Sequence, residues 1–107
     1  KMFIQAQIFD SSHNYNKAIT FYEAFLKTQA KEDIKLEALA LNNLGLMYDR
    51  KGDYIKALEN FQKAHKLTVL ARGKNHLDTA ASYNNLGLIY TALGDYPKAQ
   101  ENHSNAL

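Results

Sequence analysis

The most pointed chemistry in this sequence lies in two adjacent pairs of asparagines, Asn42 with Asn43 and Asn84 with Asn85. A primary amide carries a donor and an acceptor side by side. An asparagine facing a groove can therefore pair with both the C=O and the N–H of an extended peptide, whatever that peptide's side chains are. In a helix interior each asparagine is worse than alanine by about 0.5 to 0.7 kcal/mol, so two such pairs call for a hydrogen-bonding reason. The competing reading is that the amides bond to the backbone or side chains of a neighbouring structural unit and hold the array together. For Asn42 and Asn84 both readings stand.

Other chemistry is thinly represented. The four histidines, His13, His65, His76 and His103, include no pair at the close helical spacing that puts two imidazoles on one metal. They read as surface residues, with His65 on an exposed edge and His76 in a connecting segment. The chain has no cysteine, which removes thiolate catalysis, disulfides and zinc-thiolate sites together and fits a cytoplasmic setting. The glycines are accounted for by packing and capping. Carboxylates such as Glu59 and Glu101 recur by repetition, without suggesting a dedicated acid and base. No catalytic residue, metal or cofactor is expected, and the chain is not read as an enzyme. Basic and acidic residues number 13 and 11 and are interspersed, for a net charge of +2, so a nucleic-acid face is not implied. No apolar run approaches the 18 or so residues needed to span a bilayer. The segment Lys1 to Phe9 is too short for a complete signal peptide, although flanks beyond this sequence could carry a targeting signal.

The elements that position these residues follow from an internal repeat. Residues 41–65 match residues 83–107 at an offset of 42, with 14 identities in 25 positions. The shared core is Asn42, Asn43, Leu44, Gly45 and Tyr48, returning as Asn84, Asn85, Leu86, Gly87 and Tyr90. It is followed by Gly52, Asp53, Tyr54, Lys56, Ala57 and Ala64, returning as Gly94, Asp95, Tyr96, Lys98, Ala99 and Ala106. Residues 1–33 read as a degraded first copy, 34–76 as a second and 77–107 as a third cut short in its second helix. In the first copy Tyr15, Ala18, Tyr22 and Phe25 take the registers of Tyr54, Ala57, Phe61 and Ala64. Helices are expected over about 2–12, 15–30, 35–51, 54–71, 78–93 and from 96 onward, from apolar spacing and punctuation. Asp33 and Asp53 are expected as amino-terminal caps and Gly52 as a left-handed stop. Asp78 or Thr79 is expected to start the fifth helix. Gly45 and Gly87 each cost about 1 kcal/mol in a helix interior. Close backbone approach to a partner helix, with Ala57 and Ala64 opposite, would offset that cost.

The leucine, glycine, tyrosine spacing followed by Gly-Asp-Tyr and later small residues resembles the tetratricopeptide repeat family. The family's usual period is about 34 residues, so the longer unit is similar to the kinesin light chain subtype. That subtype joins its repeats through a Gly, two residues, His-Pro-Asp segment, matched here by Gly73, His76 and Asp78 with Leu77 in place of the proline. The resemblance implies an all-α fold, a right-handed superhelical solenoid of antiparallel helix pairs. It also implies a concave groove lined by the first helix of each repeat. Its lining would be Leu39, Asn42, Asn43, Leu46, Asp49 and Arg50, then Ala81, Asn84, Asn85, Leu88 and Thr91, with Phe3, Gln7 and Asp10 from the first copy. For Asn43 and Asn85 the resemblance implies contact with ligand backbone. The chaperone-type carboxylate clamp of some relatives is not implied, because Phe3, Gln7, Asn84 and Leu88 stand where that clamp has cations.

The function expected is a protein interaction module that takes a peptide or partner segment in this groove, with neither nucleic acid nor membrane as partner. Two alternatives belong to other classes. One is a structural scaffold that forms homo-oligomers through exposed repeat ends. The other is the sensor domain of a larger regulatory protein.

Overall fold

A computed structural model describes residues 14–28 and 33–107, and every regular element among them is an α-helix. In chain order these are α1 (Tyr15–Thr28), α2 (Ile34–Lys51), α3 (Tyr54–Arg72), α4 (Leu77–Ala92) and α5 (Tyr96–Ala106). Each helix packs against the next in sequence, as in a stack where every unit touches only its neighbours. The helix expected near the start, and with it Phe3, Gln7 and Asp10, lies outside the described residues.

The punctuation explains the boundaries. Asp33 accepts from the amides of Lys35 and Leu36 at 3.0 and 3.3 Å, and Asp53 and Asp95 accept from Lys56 and Lys98, each at 3.2 Å. Gly52 and Gly94 have φ of 88° and 82°, a conformation that glycine adopts without the penalty a Cβ incurs. That conformation lets the amides of Asp53 and Asp95 reach back to the carbonyls of Tyr48 and Tyr90 at 2.9 and 2.8 Å. The same turn is thus built twice from the same residues. Pro97 sits in the first turn of α5, where its missing N–H has no intrahelical acceptor to lose.

One start differs from expectation. Helix α4 begins at Leu77 and its cap is His76, whose Nδ1 accepts from the Asp78 amide at 3.0 Å. Asp78 and Thr79 lie inside the helix. The extra length of the 42-residue period appears as helix: α3 runs 19 residues, and only residues 73–76 separate it from α4.

The core runs through the stack. Ala18, Ile19, Tyr22 and Phe25 of α1 meet Ala40, Leu44, Met47 and Tyr48 of α2, then Ala57 and Phe61 of α3 and Leu86 and Ile89 of α4. The interior glycine has a different partner from the one expected. A Cβ on Gly45 would lie 2.8 Å from the Phe61 ring, and one on Gly87 would lie 2.7 Å from the His103 ring. The helices use these glycines to admit an aromatic ring, and Ala57 and Ala64 on either side of Phe61 in the sequence are buried as well. Burying a ring such as Phe61 stabilises by about 1.5 to 3 kcal/mol, which offsets the propensity cost of the glycine.

A candidate docking cavity between the first helices

Between the amino-terminal halves of α2 and α4, over the last turn of α3, lies a cavity of about 340 Å³. From α2 and its cap come Asp33, Lys35, Leu36, Ala38, Leu39 and Asn42. The end of α3 supplies Thr68, Ala71 and Arg72, and α4 supplies Asp78, Ala81, Ser82 and Asn85. The long second helix of the repeat is what carries Arg72 to this place. Its Nε lies 3.2 Å from Asp78 Oδ2, so one cation and one anion stand on the α3/α4 side facing Asp33 and Lys35 on the α2 side.

The amides expected to carry recognition are partly brought together. Asn85 Nδ2 donates to Asn42 Oδ1 at 2.7 Å, joining consecutive repeats on the cavity wall. That bond engages neither the Asn42 Nδ2 nor the Asn85 Oδ1, a donor and an acceptor of the kinds that complement a peptide unit. Asn84 is differently engaged, with its Oδ1 2.9 Å from His103 Nδ1. Because that oxygen only accepts, the imidazole carries its hydrogen on Nδ1.

The remaining expected groove residues lie outside the cavity. Leu46 packs against the core cluster, whereas its counterpart Leu88 is 60% exposed. Thr91 donates its hydroxyl to the Gly87 carbonyl at 2.9 Å. Asn43 and Asp49 are half-buried, and Arg50 is exposed. Leu39, Asn42, Ala81 and Asn85 are the expected groove residues that line the cavity. Thr68, Ala71, Arg72, Asp78 and the residues around Asp33 went unanticipated. The one sequence signal for them is the long period, which had to extend either the second helix or a loop.

Behind the cavity wall, the connection to α4 is polar. Ser82 donates to the Thr79 carbonyl at 2.7 Å, so at 2.7 Å it accepts from His65 Nδ1–H. His65 also packs against the tilted ring of Tyr83 with ring centroids 4.3 Å apart. It is therefore half-buried between α3 and α4 and not on an exposed edge, and burial holds its pKa below the ordinary value. Thr68 and Thr79 donate to the carbonyls of Ala64 and Gly73. On the far side of the repeat, Lys56 lies over the Tyr48 ring at 5.4 Å and Lys98 over Tyr90 at 5.5 Å. Burial, and then the nearby Glu23, raise the Tyr48 pKa.

Set against known proteins, residues 36–107 match the family model described as tetratricopeptide repeat. The chain belongs to the tetratricopeptide repeat family. Its fold is that of the family's solenoids. The crystal structure of BtubC (BKLC) from P. vanneervenii superposes with a TM-score of 0.91 at 27% identity, over 98% of this chain and 42% of that one. The TPR domain of Arabidopsis FLU superposes with a TM-score of 0.85 at 22% identity, over 98% and 87%. In sequence, the array is 35% identical over 68 residues to response regulator aspartate phosphatase H of Bacillus subtilis (strain 168). That match takes in 63% of this chain and spans 18% of the length of the relative. Tetratricopeptide domains as a class mediate protein–protein interaction. No helix among the described residues is long and apolar enough to cross a membrane.

Proposed function

We propose that this array is a non-catalytic docking module that holds an extended partner segment in the cavity between α2 and α4. The observation that carries the reading is the Asn42–Asn85 amide pair on the cavity wall. The donor and acceptor that this bond does not use suit main-chain groups, while Leu36, Leu39 and Ala81 offer apolar contact and Lys35 with Arg72 and Asp33 with Asp78 set charge preference at the rim. Asn43, Leu46, Asp49 and Arg50 of α2, with Asn84, Leu88 and Thr91 of α4, would lie along the continuation of the same track.

The test is a displayed library of extended peptides selected against the wild-type chain. Affinity is then measured for the selected peptide on the Asn42→Ala, Asn85→Ala double variant. Loss of at least tenfold in affinity with helicity unchanged is expected, and an unaltered affinity would defeat the reading.

A second reading has one observation in its favour. Leu88 is exposed where its counterpart Leu46 is packed, which suits a scaffold that stacks end to end. The neighbouring helix argues the other way, because α5 carries Gln100 and Ser104 where α3 carries Leu58 and Gln62, and Leu58 packs on the core. Light scattering over a wide concentration range separates the two readings: a monomer throughout supports docking in the cavity. The likeness to a response regulator aspartate phosphatase supports reading the module as one part of a larger regulatory protein.

A further inference from the structure

We propose that His76 is a proton-operated release for Arg72 at the rim of the cavity. Three contacts meet at Asp78, one at its amide and two at its carboxylate. The His76 Nδ1 accepts the Asp78 amide at 3.0 Å and caps α4. The same nitrogen lies 3.7 Å from Asp78 Oδ2, and that same oxygen takes Arg72 Nε at 3.2 Å. While Nδ1 accepts, the neutral ring carries its hydrogen on Nε2, so an incoming proton has one place to go, the capping nitrogen.

Protonation there changes three things together. The ring loses its lone pair and with it the cap on α4. It becomes a cation at the positive end of a helix dipole, an unfavourable position, and turns toward the nearest anion, the Asp78 carboxylate. Two cations then compete for one oxygen, and the repulsion between imidazolium and guanidinium favours release of Arg72 toward the cavity. The charged groups around this point are Arg72 from the end of α3, Asp78 from α4, and Asp33 with Lys35 across the cavity, with Lys74 two residues before His76 in the connection. The freed guanidinium would join Lys35, so the rim becomes more cationic once His76 takes up its proton. The consequence for a partner rests on the docking proposal above: acidic segments would bind better at low pH. The exchange at Asp78 itself stands without any partner.

The experiment is an NMR titration of the free 107-residue chain from pH 8 to pH 5, following the His76 ring nitrogens, the Asp78 amide and the Arg72 Nε–H. The wild type should show all three moving with one midpoint, with His76 Nδ1 changing from bare to protonated and the Arg72 Nε–H losing its shift toward the carboxylate. In His76→Asn, which keeps a capping acceptor but takes up no proton, the Arg72 signal should stay constant over the same range. An Arg72 signal that ignores His76 protonation in the wild type, or that moves equally in His76→Asn, would overturn the proposal. Failure of the docking proposal would leave these signals untouched and appear only as a lack of peptide binding.

Discussion

Gly45 and Gly87 occupy the same place in successive repeats, yet their side-chain neighbours make them unequal. Phe61, opposite Gly45, is buried to 3% exposure and has nowhere to move. A Gly45→Ala methyl 2.8 Å from that ring should cost about 1 to 3 kcal/mol in overpacking, against about 1 kcal/mol gained in helix propensity. Net destabilisation in urea unfolding is expected. His103, opposite Gly87, is only half-buried on the last helix and can swing aside, so Gly87→Ala should cost clearly less. Equal losses in the two variants would contradict this account of the glycine. The glycines themselves were legible from the repeat, but their partner was not, because periodicity places small residues without saying which neighbour fills the space. His65 was misread for a related reason. Its position beside Ala64 looks exposed on an isolated helix, and only the packing of α4 on α3 covers it. Because burial lowers its pKa in the folded chain, the folded state binds the proton less readily than the unfolded one. The stability this contributes is complete above the unfolded value and is lost as pH falls through the lower, folded value. A His65→Gln variant should therefore show a flatter loss of stability between pH 7 and pH 5 than the wild type, as measured by thermal melts.

At the scale of elements, the boundaries of α2, α3 and α5 could be read from Asp33, Asp53, Gly52 and the Gly94, Asp95 pair, because capping chemistry is local and acts within one turn. The start of α4 could not. Histidine is a rarer cap than aspartate, and with Asp78 and Thr79 just beyond it the usual preference pointed one or two residues too far. Removing a cap should cost about 1 kcal/mol: Asp53→Ala is expected to lower stability by that amount in chemical denaturation, and Asp95→Ala to match it, since both make the same 3.2 Å contact. A cost confined to Asp53 would mean that the two turns are not equivalent despite their shared sequence. The length of α3 follows the same logic in reverse. The 42-residue period showed that residues had been added to each unit, but helix and loop satisfy a period equally well. Packing of the final turn beside α2 and α4 is what made them helix, and that turn carries Arg72 to the cavity.

Across the whole molecule, the order of helices and their stacking were legible because each repeat has an apolar first helix that must be covered on two sides. The candidate site was legible only in part. Asn42 and Asn85 were singled out by the cost of asparagine in a helix, but the bond between them crosses two repeats and depends on how those repeats are rotated. No periodic reading supplies that rotation. The bond also ties the array together, so a double-mutant cycle on Asn42→Ala and Asn85→Ala should give a coupling of about 0.5 to 1.5 kcal/mol in unfolding free energy. Strictly additive effects would show that the pair is not coupled in the folded array. The same amides are asked to meet a partner, and the most direct test of that claim is an NMR shift map of the 107-residue chain with a peptide selected from the extended library. The account predicts the largest changes at the side-chain amides of Asn42 and Asn85 and at the backbone of Leu36, Leu39 and Ala81. Changes clustered instead on the exposed Tyr54, Ile55 and Tyr96, with Asn42 and Asn85 unmoved, would contradict it.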